Sequence, residues 1–333
     1  MKFKLTLDAK PSNHTIGYED KLMLIGSCFT ENIGSKFTAH LFSIQENPYG
    51  ILFNPISVSN TLTEVMEAKK YTAADLFQLN ELWHSWQHHS RFSAVDQAVA
   101  LAKINASIQE ANVFLKSANR LVITLGSAWL YHLKEAAPLG QGQVVANNHK
   151  APADWFYKTL MQPSALLETL QDLVARLLTF NPALHITFTI SPVRHLREGL
   201  IENNRSKAVL IHAVHELVGS NQKVDYFPAY EYVMDDLRDY RFYAEDLVHP
   251  NFAASGYVWD KLVETYMDAN TQTIMKQVAE LQLALQHKPF FEGSMAHQKF
   301  LESCVRKTTA LIEAHPALPL QPHLAFFKAG ISK

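Results

Sequence analysis

The chain is poor in cysteine, in net charge and in long apolar runs. Only Cys28 and Cys304 occur among 333 residues. Two thiols cannot form a disulfide framework, so the sequence predicts a reducing compartment or a fold that needs no covalent staples. Thirty Lys+Arg stand against 32 Asp+Glu, a formal charge of −2. A protein built to grip phosphate backbones needs a basic excess on some face, and nucleic acid is therefore not expected as a partner. No segment reaches the roughly 20 apolar residues that span a bilayer; the uncharged stretch Leu177 to Val193 is interrupted by Asn181, Pro182 and His185. Asp8 and Lys10 break the apolar run that a secretory leader needs after Lys2 and Lys4, so the chain is expected to be uncleaved and cytoplasmic. No internal repeat or low-complexity tract is visible.

What is present is ample core-forming material, 47% hydrophobic against 19% charged residues. Short aliphatic and β-branched runs alternate with longer helical patterns, which predicts an α/β fold, a three-layer α/β/α sandwich on a mostly parallel sheet. Strands are expected at Lys21 to Ile25, Phe42 to Gln45, Arg120 to Leu125, His185 to Ile190 and Lys223 to Phe227, with an accessory strand at Leu82 to Trp86. Helices are expected at Thr30 to His40, after a cap at Ser57 or Ser59, and at Ala94 to Leu115 with Val95, Val99, Ala102, Ile108 and Leu115 on one face. Further helices are expected at Pro163 to Phe180 and at Ser206 to Val218, the last ending at Gly219. The segment Leu139 to Asp154 reads as surface decoration. Two strandless helical patterns follow, Ala253 to His287 and Phe290 to His315. These elements divide into a sheet domain over residues 1–265 and a helical extension over 266–333.

In open α/β sheets ligands bind at the carboxyl ends of the strands. The first such end reads Gly26-Ser27-Cys28-Phe29. Glycine permits a tight turn, and a serine there places its hydroxyl at a helix N-terminus beside N–H groups suited to an oxyanion. The plainer reading is that Ser27 only caps the helix. Near the end of the strand-helix alternation stands Asp246-Leu247-Val248-His249. A carboxylate three residues before an imidazole can orient the ring and hold its Nδ1–H tautomer, leaving Nε2 to take a serine proton. His212 and His215 lack the further ligands of a zinc pattern, and neither a metal nor a cofactor is expected.

Ser27 followed late in the chain by Asp246 and His249 resembles the SGNH/GDSL hydrolase superfamily. Gly26-Ser27-Cys28-Phe29 more narrowly resembles the motif of its GSCFA family. The likeness continues through Asn47-Pro48-Tyr49-Gly50, Asn54-Pro55, Ser191-Pro192-Val193-Arg194, Ser206-Lys207 and Tyr226 to Glu231, spanning roughly residues 20 to 260. It implies a flavodoxin-like sandwich and a serine-dependent ester hydrolase, with Ser27 as nucleophile, His249 as base and Asp246 as its orienter. Gly50 would join the Ser27 N–H in an oxyanion hole. The chain departs from the superfamily after its third strand, where Gly126-Ser127-Ala128 puts alanine in place of an asparagine donor. Losing one such donor typically costs about 2.7 to 4 kcal/mol of transition-state stabilisation. Ser127, Asn47 and Asn54 are the candidates to replace it.

Arg194 is open to two readings, a grip on an anionic or polyhydroxylated substrate or a structural role. Cys28 reads as a buried thiol in preference to a second nucleophile, and His88 and His89, with Arg91, as a polar loop in preference to a lining of the cleft. Glu231 and Asp235-Asp236 either touch substrate or cap a short helix. Trp129, Tyr131 and Trp155 either stack on a sugar or pack in the core. Three functions remain: hydrolysis of an ester, with an O-acyl carbohydrate in view; acyl transfer to a glycan through the same triad; or glycan binding without catalysis. The near-zero charge suits a small neutral ester or glycan.

Overall fold

The computed structural model describes residues 5–291 and 293–331. Its chain divides into two compact units. The larger comprises residues 5–8, Lys21–Gly34 and Ile44–Asp260. Its centre is a sheet of β1 (Lys21–Gly26), β2 (Ser43–Glu46), β5 (Arg120–Leu125), β8 (His185–Ile190) and β9 (Val224–Phe227), in the order β2-β1-β5-β8-β9. The pairs β1–β5, β5–β8 and β8–β9 run parallel, with Leu22 opposite Arg120, Arg120 opposite His185 and Ile186 opposite Val224. Strands covered on both faces carry near-continuous apolar runs, and β8 is buried along its whole length.

The period of two sends Met23, Ile25, Leu121, Ile123, Leu125, Phe188 and Ile190 to one face. They share a core with α2 (Pro55–Met66), α3 (Gln97–Ser117), α4 (Pro163–Phe180) and α5 (Leu200–Ser220). On the opposite face Leu24 approaches Gly34 of α1 (Cys28–Ala39). The result is the expected α/β sandwich.

Several expected boundaries move for local reasons. The cap of α2 is Asn54, whose Oδ1 accepts the Ser57 N–H at 2.8 Å, with Pro55 in the first turn. Helix α3 buries Ala100, Ile104, Ile108, Ala111 and Leu115 and exposes Val99 and Ala102; its cap is Asp96, so Val95 lies before the helix and is exposed. Helix α5 starts six residues earlier than Ser206 and runs through Gly219 to Ser220. An antiparallel hairpin absent from the sequence reading joins β6 (Trp129–Leu133) to β7 (Phe156–Leu160). The segment after Leu139 folds back onto it, with the Val145 N–H donating to Tyr131 O at 2.9 Å. Val145 is buried with Phe77 of β3 (Phe77–Leu79), Trp86 just after β4 (Leu82–His84), Leu133 and Phe156. Val145, Ala146 and His149 of the segment are thus core, while most of its other residues lie at the surface. After β9 comes a single turn, α6 (Ala229–Glu231), which continues as a π-helix over Tyr232–Leu237, and then α7 (Phe252–Tyr266).

The smaller unit comprises Ala9–Asp20, Ser35–Ser43 and the chain from Lys261 onward. The first long helical pattern splits there because Asp268 caps a new helix, α8 (Ala269–Leu285), accepting the Thr271 N–H at 2.7 Å. It is followed by α9 (Met295–Ala314) and by α10 (Gln321–Ile331), which the sequence reading did not anticipate. Val278, Leu281, Leu301, Cys304, Leu311 and Phe327 form the apolar centre of these three helices, so Cys304 is a core residue.

Candidate active site

From β1 the chain steps to β2 on one side and to β5 on the other, and the crevice of such a sheet opens at the carboxyl ends of these strands. Gly26-Ser27 and Gly126-Ser127 lie there. Gly26 has φ +144°, and a Cβ on it would sit 2.1 Å from Thr124 O, so only glycine fits. Its N–H donates to Asn47 Oδ1 at 2.8 Å and its carbonyl accepts the Leu52 N–H at 2.8 Å. Ser27 is wholly buried. It caps α1, its Oγ accepting the Phe29 N–H at 3.3 Å and its carbonyl the Thr30 N–H at 2.9 Å. No hydrogen bond joins Ser27 Oγ to His249 among the described residues.

Asn47 and Gly50 form the adjoining wall. Asn47 is buried; its N–H donates to Leu24 O at 2.8 Å, and its carbonyl accepts both the Gly50 N–H at 2.7 Å and Arg91 Nη2. Arg91 also binds Glu31 at 2.9 Å. Gly50, at φ +83°, has no room for a side chain, since a Cβ would lie 2.2 Å from that of His89. Its N–H reaches a further acceptor only by giving up Asn47. The Ser27 N–H is less committed, donating to Thr124 O at 3.3 Å.

Asp246 and His249 come together as their spacing predicts. Asp246 Oδ2 accepts His249 Nδ1 at 2.6 Å, and Oδ1 accepts the N–H groups of Val248 and His249 at 2.9 and 3.0 Å. These backbone donors and the imidazole hold the exposed carboxyl down to about 2, so it is charged at any ordinary pH. The turn includes Leu247 at φ +56°, a conformation unfavourable for a branched side chain. Arg194 braces it: Nη1 donates to Leu247 O at 3.1 Å and the backbone N–H to Val248 O at 3.2 Å. Its guanidinium lies 4.0 Å from the Tyr243 ring centre and 4.9 Å from that of Tyr240. These contacts give Arg194 a structural role in the turn.

Ser127 and Asn54 line a separate cavity of about 230 Å³ with Phe53, Trp129 and His195. Ser127 Oγ pairs with Ser206 Oγ at 3.2 Å and accepts the Trp129 N–H at 3.2 Å. Asn54 Nδ2 makes only a stretched bond to Val145 O, 3.4 Å. Two neighbours were not singled out as site residues from sequence. His195 has a buried Nε2 without a partner, and burial, Lys207 and His249 lower its pKa to about 3. Lys207 is fully buried and donates to Gly126 O at 2.7 Å and Ser191 O at 2.6 Å, joining the ends of β5 and β8; burial lowers its pKa to about 7.

Other sequence candidates belong to the fold. His88 is buried and stacked on Tyr49 at 4.0 Å, which corrects its reading as a polar loop residue; His89 is half-buried. Cys28 is partly exposed, and burial raises its thiol pKa. Glu231 accepts the Tyr226 hydroxyl at 2.8 Å, and Asp236 accepts that of Tyr257 at 2.6 Å. Trp155 packs edge-on to Trp86. His212 and His215 are exposed. Among the described residues no cluster of His, Cys, Asp and Glu could hold a metal, and no helix is long and apolar enough to cross a membrane.

The chain is thus a parallel α/β sheet protein with Ser27 at the end of β1 and a hydrogen-bonded Asp246 and His249 after β9. The GSCFA family model matches residues 21–262, and the chain belongs to the GSCFA family. A second model, the C-terminal domain of GSCFA domain proteins, matches residues 278–333. No curated protein sequence matches the chain. Among solved structures it is similar to a family 3 carbohydrate esterase of Clostridium thermocellum, with 10% identity and a TM-score of 0.35 over 78% of this chain and 98% of that one. An acetyl xylan esterase, Est2A, of the rumen bacterium Butyrivibrio proteoclasticus is 12% identical, with a TM-score of 0.38 over 74% of this chain and 63% of that one. A family two carbohydrate esterase of Clostridium thermocellum, solved with cellohexaose, is also 12% identical, with a TM-score of 0.38 over 78% and 66%.

Proposed function

We propose that the chain is a serine-dependent ester hydrolase of SGNH type, acting on an O-acyl group, in the first place acetyl, carried by a carbohydrate. The observation that carries this reading is the Asp246–His249 pair, with Nδ1 bound at 2.6 Å and the carboxylate held by two further N–H groups. That geometry directs Nε2 outward as an acceptor. Ser27 Oγ attacks the ester carbonyl and passes its proton to His249 Nε2, and the alcohol leaves with that proton. Water then attacks the acyl-enzyme, again through His249, releasing the acid and restoring Ser27.

The oxyanion is met at the α1 N-terminus, where the Cys28 N–H has no intrahelical acceptor and the Ser27 N–H holds only a long bond. The Gly50 N–H joins them once it releases Asn47 O. Catalytic hydrogen bonds are often long before substrate binds, and the Ser27–His249 contact forms on binding in this reading. Ser27→Ala should abolish hydrolysis of p-nitrophenyl acetate and labelling by a fluorophosphonate; labelling that survives the substitution rules the reading out. Dependence of product formation on an added glycan acceptor would identify transfer in place of hydrolysis.

A second reading is favoured by the commitment of the Gly50 N–H to Asn47 O and the burial of the Ser27 hydroxyl. Here the same crevice binds a glycan without turning it over. A wild-type protein inert to fluorophosphonate but competent in glycan binding would establish it.

A further inference from the structure

We propose that the cavity beside β6 is a subsite for one polyhydroxylated ring, the sugar that bears the ester, and that Asn147 and Asn148 are its specificity residues. This rests on the ester reading only for what the ring carries; the ring-binding itself stands on the cavity. The walls are aromatic. Trp129 and Tyr131 alternate along β6 and so point to the same side of the hairpin. Each is anchored at its polar end, Trp129 Nε1 donating to Glu202 O at 3.3 Å and the Tyr131 hydroxyl to Glu198 Oε1 at 2.8 Å. Their ring faces are set before a ligand arrives, which lowers the ordering cost of binding.

The rim carries uncharged donors. Asn147 Oδ1 accepts the His149 N–H at 2.8 Å and Asn148 Oδ1 accepts the Lys150 N–H at 3.4 Å. Neither Nδ2 has a protein acceptor among the described residues, and Asn54, whose Nδ2 makes only a stretched 3.4 Å bond, lines the same cavity. The Tyr131 ring already carries Lys158 Nζ at 4.9 Å and the Arg197 guanidinium at 5.7 Å, so Trp129 is the stacking wall. Three primary amides beside that indole suit hydroxyl oxygens on a ring whose C–H groups lie flat on the aromatic.

The Glu198 carboxylate is already bound by the Tyr131 hydroxyl and by Lys158 Nζ at 2.7 Å, so it is spoken for before a ligand arrives, and Arg197 is the charged donor left at the rim. Size argues for a single ring: about 230 Å³ is below the roughly 300–1,000 Å³ of pockets that take drug-sized ligands. The position suits a substrate. Phe53 O accepts the N–H groups of Gly126 and Ser127 at 2.8 and 3.0 Å, while the Leu52 N–H beside it binds Gly26 O, so one short segment borders both the cavity and the Ser27 turn.

The test uses the full chain carrying Ser27→Ala, so that no turnover is needed. Methyl β-D-glucopyranoside is titrated by saturation-transfer NMR and calorimetry, and it should bind. The double variant Asn147→Ala/Asn148→Ala should lose about tenfold in glycoside affinity, the worth of one or two neutral hydrogen bonds. Trp129→Phe should do the same while keeping an aromatic wall, with the near-UV circular dichroism of each variant confirming the fold. In the active protein, the double variant should lower the ratio of kcat/KM for an acetylated methyl glucoside to that for p-nitrophenyl acetate by a similar factor. Glycoside affinity equal in the parent and the double variant, or no glycoside binding, overturns the proposal. Glycoside binding by a wild type that fluorophosphonate does not label would overturn the ester reading and leave the subsite standing.

Discussion

The Ser27 turn and the Asp246–His249 turn are built in opposite ways. Ser27 is inaccessible and embedded in backbone bonds that tie β1 to β5 and to the loop after β2. The Asp246 and His249 side chains are 48% and 45% exposed and depend on their own four-residue turn, with Arg194 as the outside brace. The first position is fixed by the sheet, so any change there is felt as stability. The second is fixed locally, so changes there should be felt as orientation with little effect on folding.

The largest expected effect separates these two kinds of control. Asp246→Asn keeps the shape of the exposed turn but loses the charge that fixes the imidazole tautomer, and kcat for p-nitrophenyl acetate should fall by about 10³ to 10⁴-fold. The urea midpoint should hardly move; a large loss of stability would show that the turn is not local. Gly26→Ala is the mirror experiment. A Cβ 2.1 Å from Thr124 O, at φ +144°, should cost about 3 kcal/mol or more in urea unfolding. A near-neutral result would mean that the β1 end is far more yielding than its bonds imply.

Arg194 tests the brace. Arg194→Ala should lower kcat by about tenfold, with a smaller change in KM, since it removes the contacts to Leu247 O and to two tyrosine rings. Arg194→Lys keeps the charge but not the planar fork and should recover only part of the loss. A shift in the acidic limb of the kcat/KM profile would mark the effect as one on His249. Equal kcat in the parent and Arg194→Ala would remove the brace from the account.

The smallest effect is on pH dependence. Burial lowers the pKa of His149 to about 4 and that of His195 to about 3, and it lowers those of His84 and His88 as well. In the unfolded chain these imidazoles take up protons near pH 6.5. The unfolded state therefore binds more protons below that pH, so stability is full above about 6.5 and declines as the pH falls towards 4. His149→Gln, which can still donate to Ser85 O, should flatten the slope of Tm against pH over this window, a difference of about 1 to 2 kcal/mol. An unchanged slope would assign the acid sensitivity elsewhere.

Which parts were legible in the sequence follows from the range of the forces that set them. Arg120–Leu125, Pro163–Phe180 and His185–Ile190 have the boundaries their residues predict, because unbroken β-branched runs and a proline in the first turn are local signals. Asp246 and His249 were legible as a pair for the same reason, being three residues apart. The β6–β7 hairpin was not, since the chain between its strands is long and folds back only through Val145 and its partners. The aromatic and aliphatic residues of Trp129-Leu130-Tyr131-His132-Leu133 favour a strand, and that composition is the signal that could have found it. His195 and Lys207 depend on the juxtaposition of β5, β8 and α5, which no spacing along the chain encodes.

Lys207 has a further consequence. Parallel strands end with their carbonyl oxygens aligned, and at the ends of β5 and β8 two of these oxygens share a single ammonium. The partner of this lysine is thus the main chain itself, two neutral carbonyl dipoles in place of a carboxylate. An ordinary buried ion pair can drift apart by mutation of either member; here one member is independent of the genetic code, and only position 207 is free to vary. Replacing it leaves two inward-facing carbonyls without a donor, so among sequences that keep this sheet the lysine should persist even where the chemistry above it has been lost.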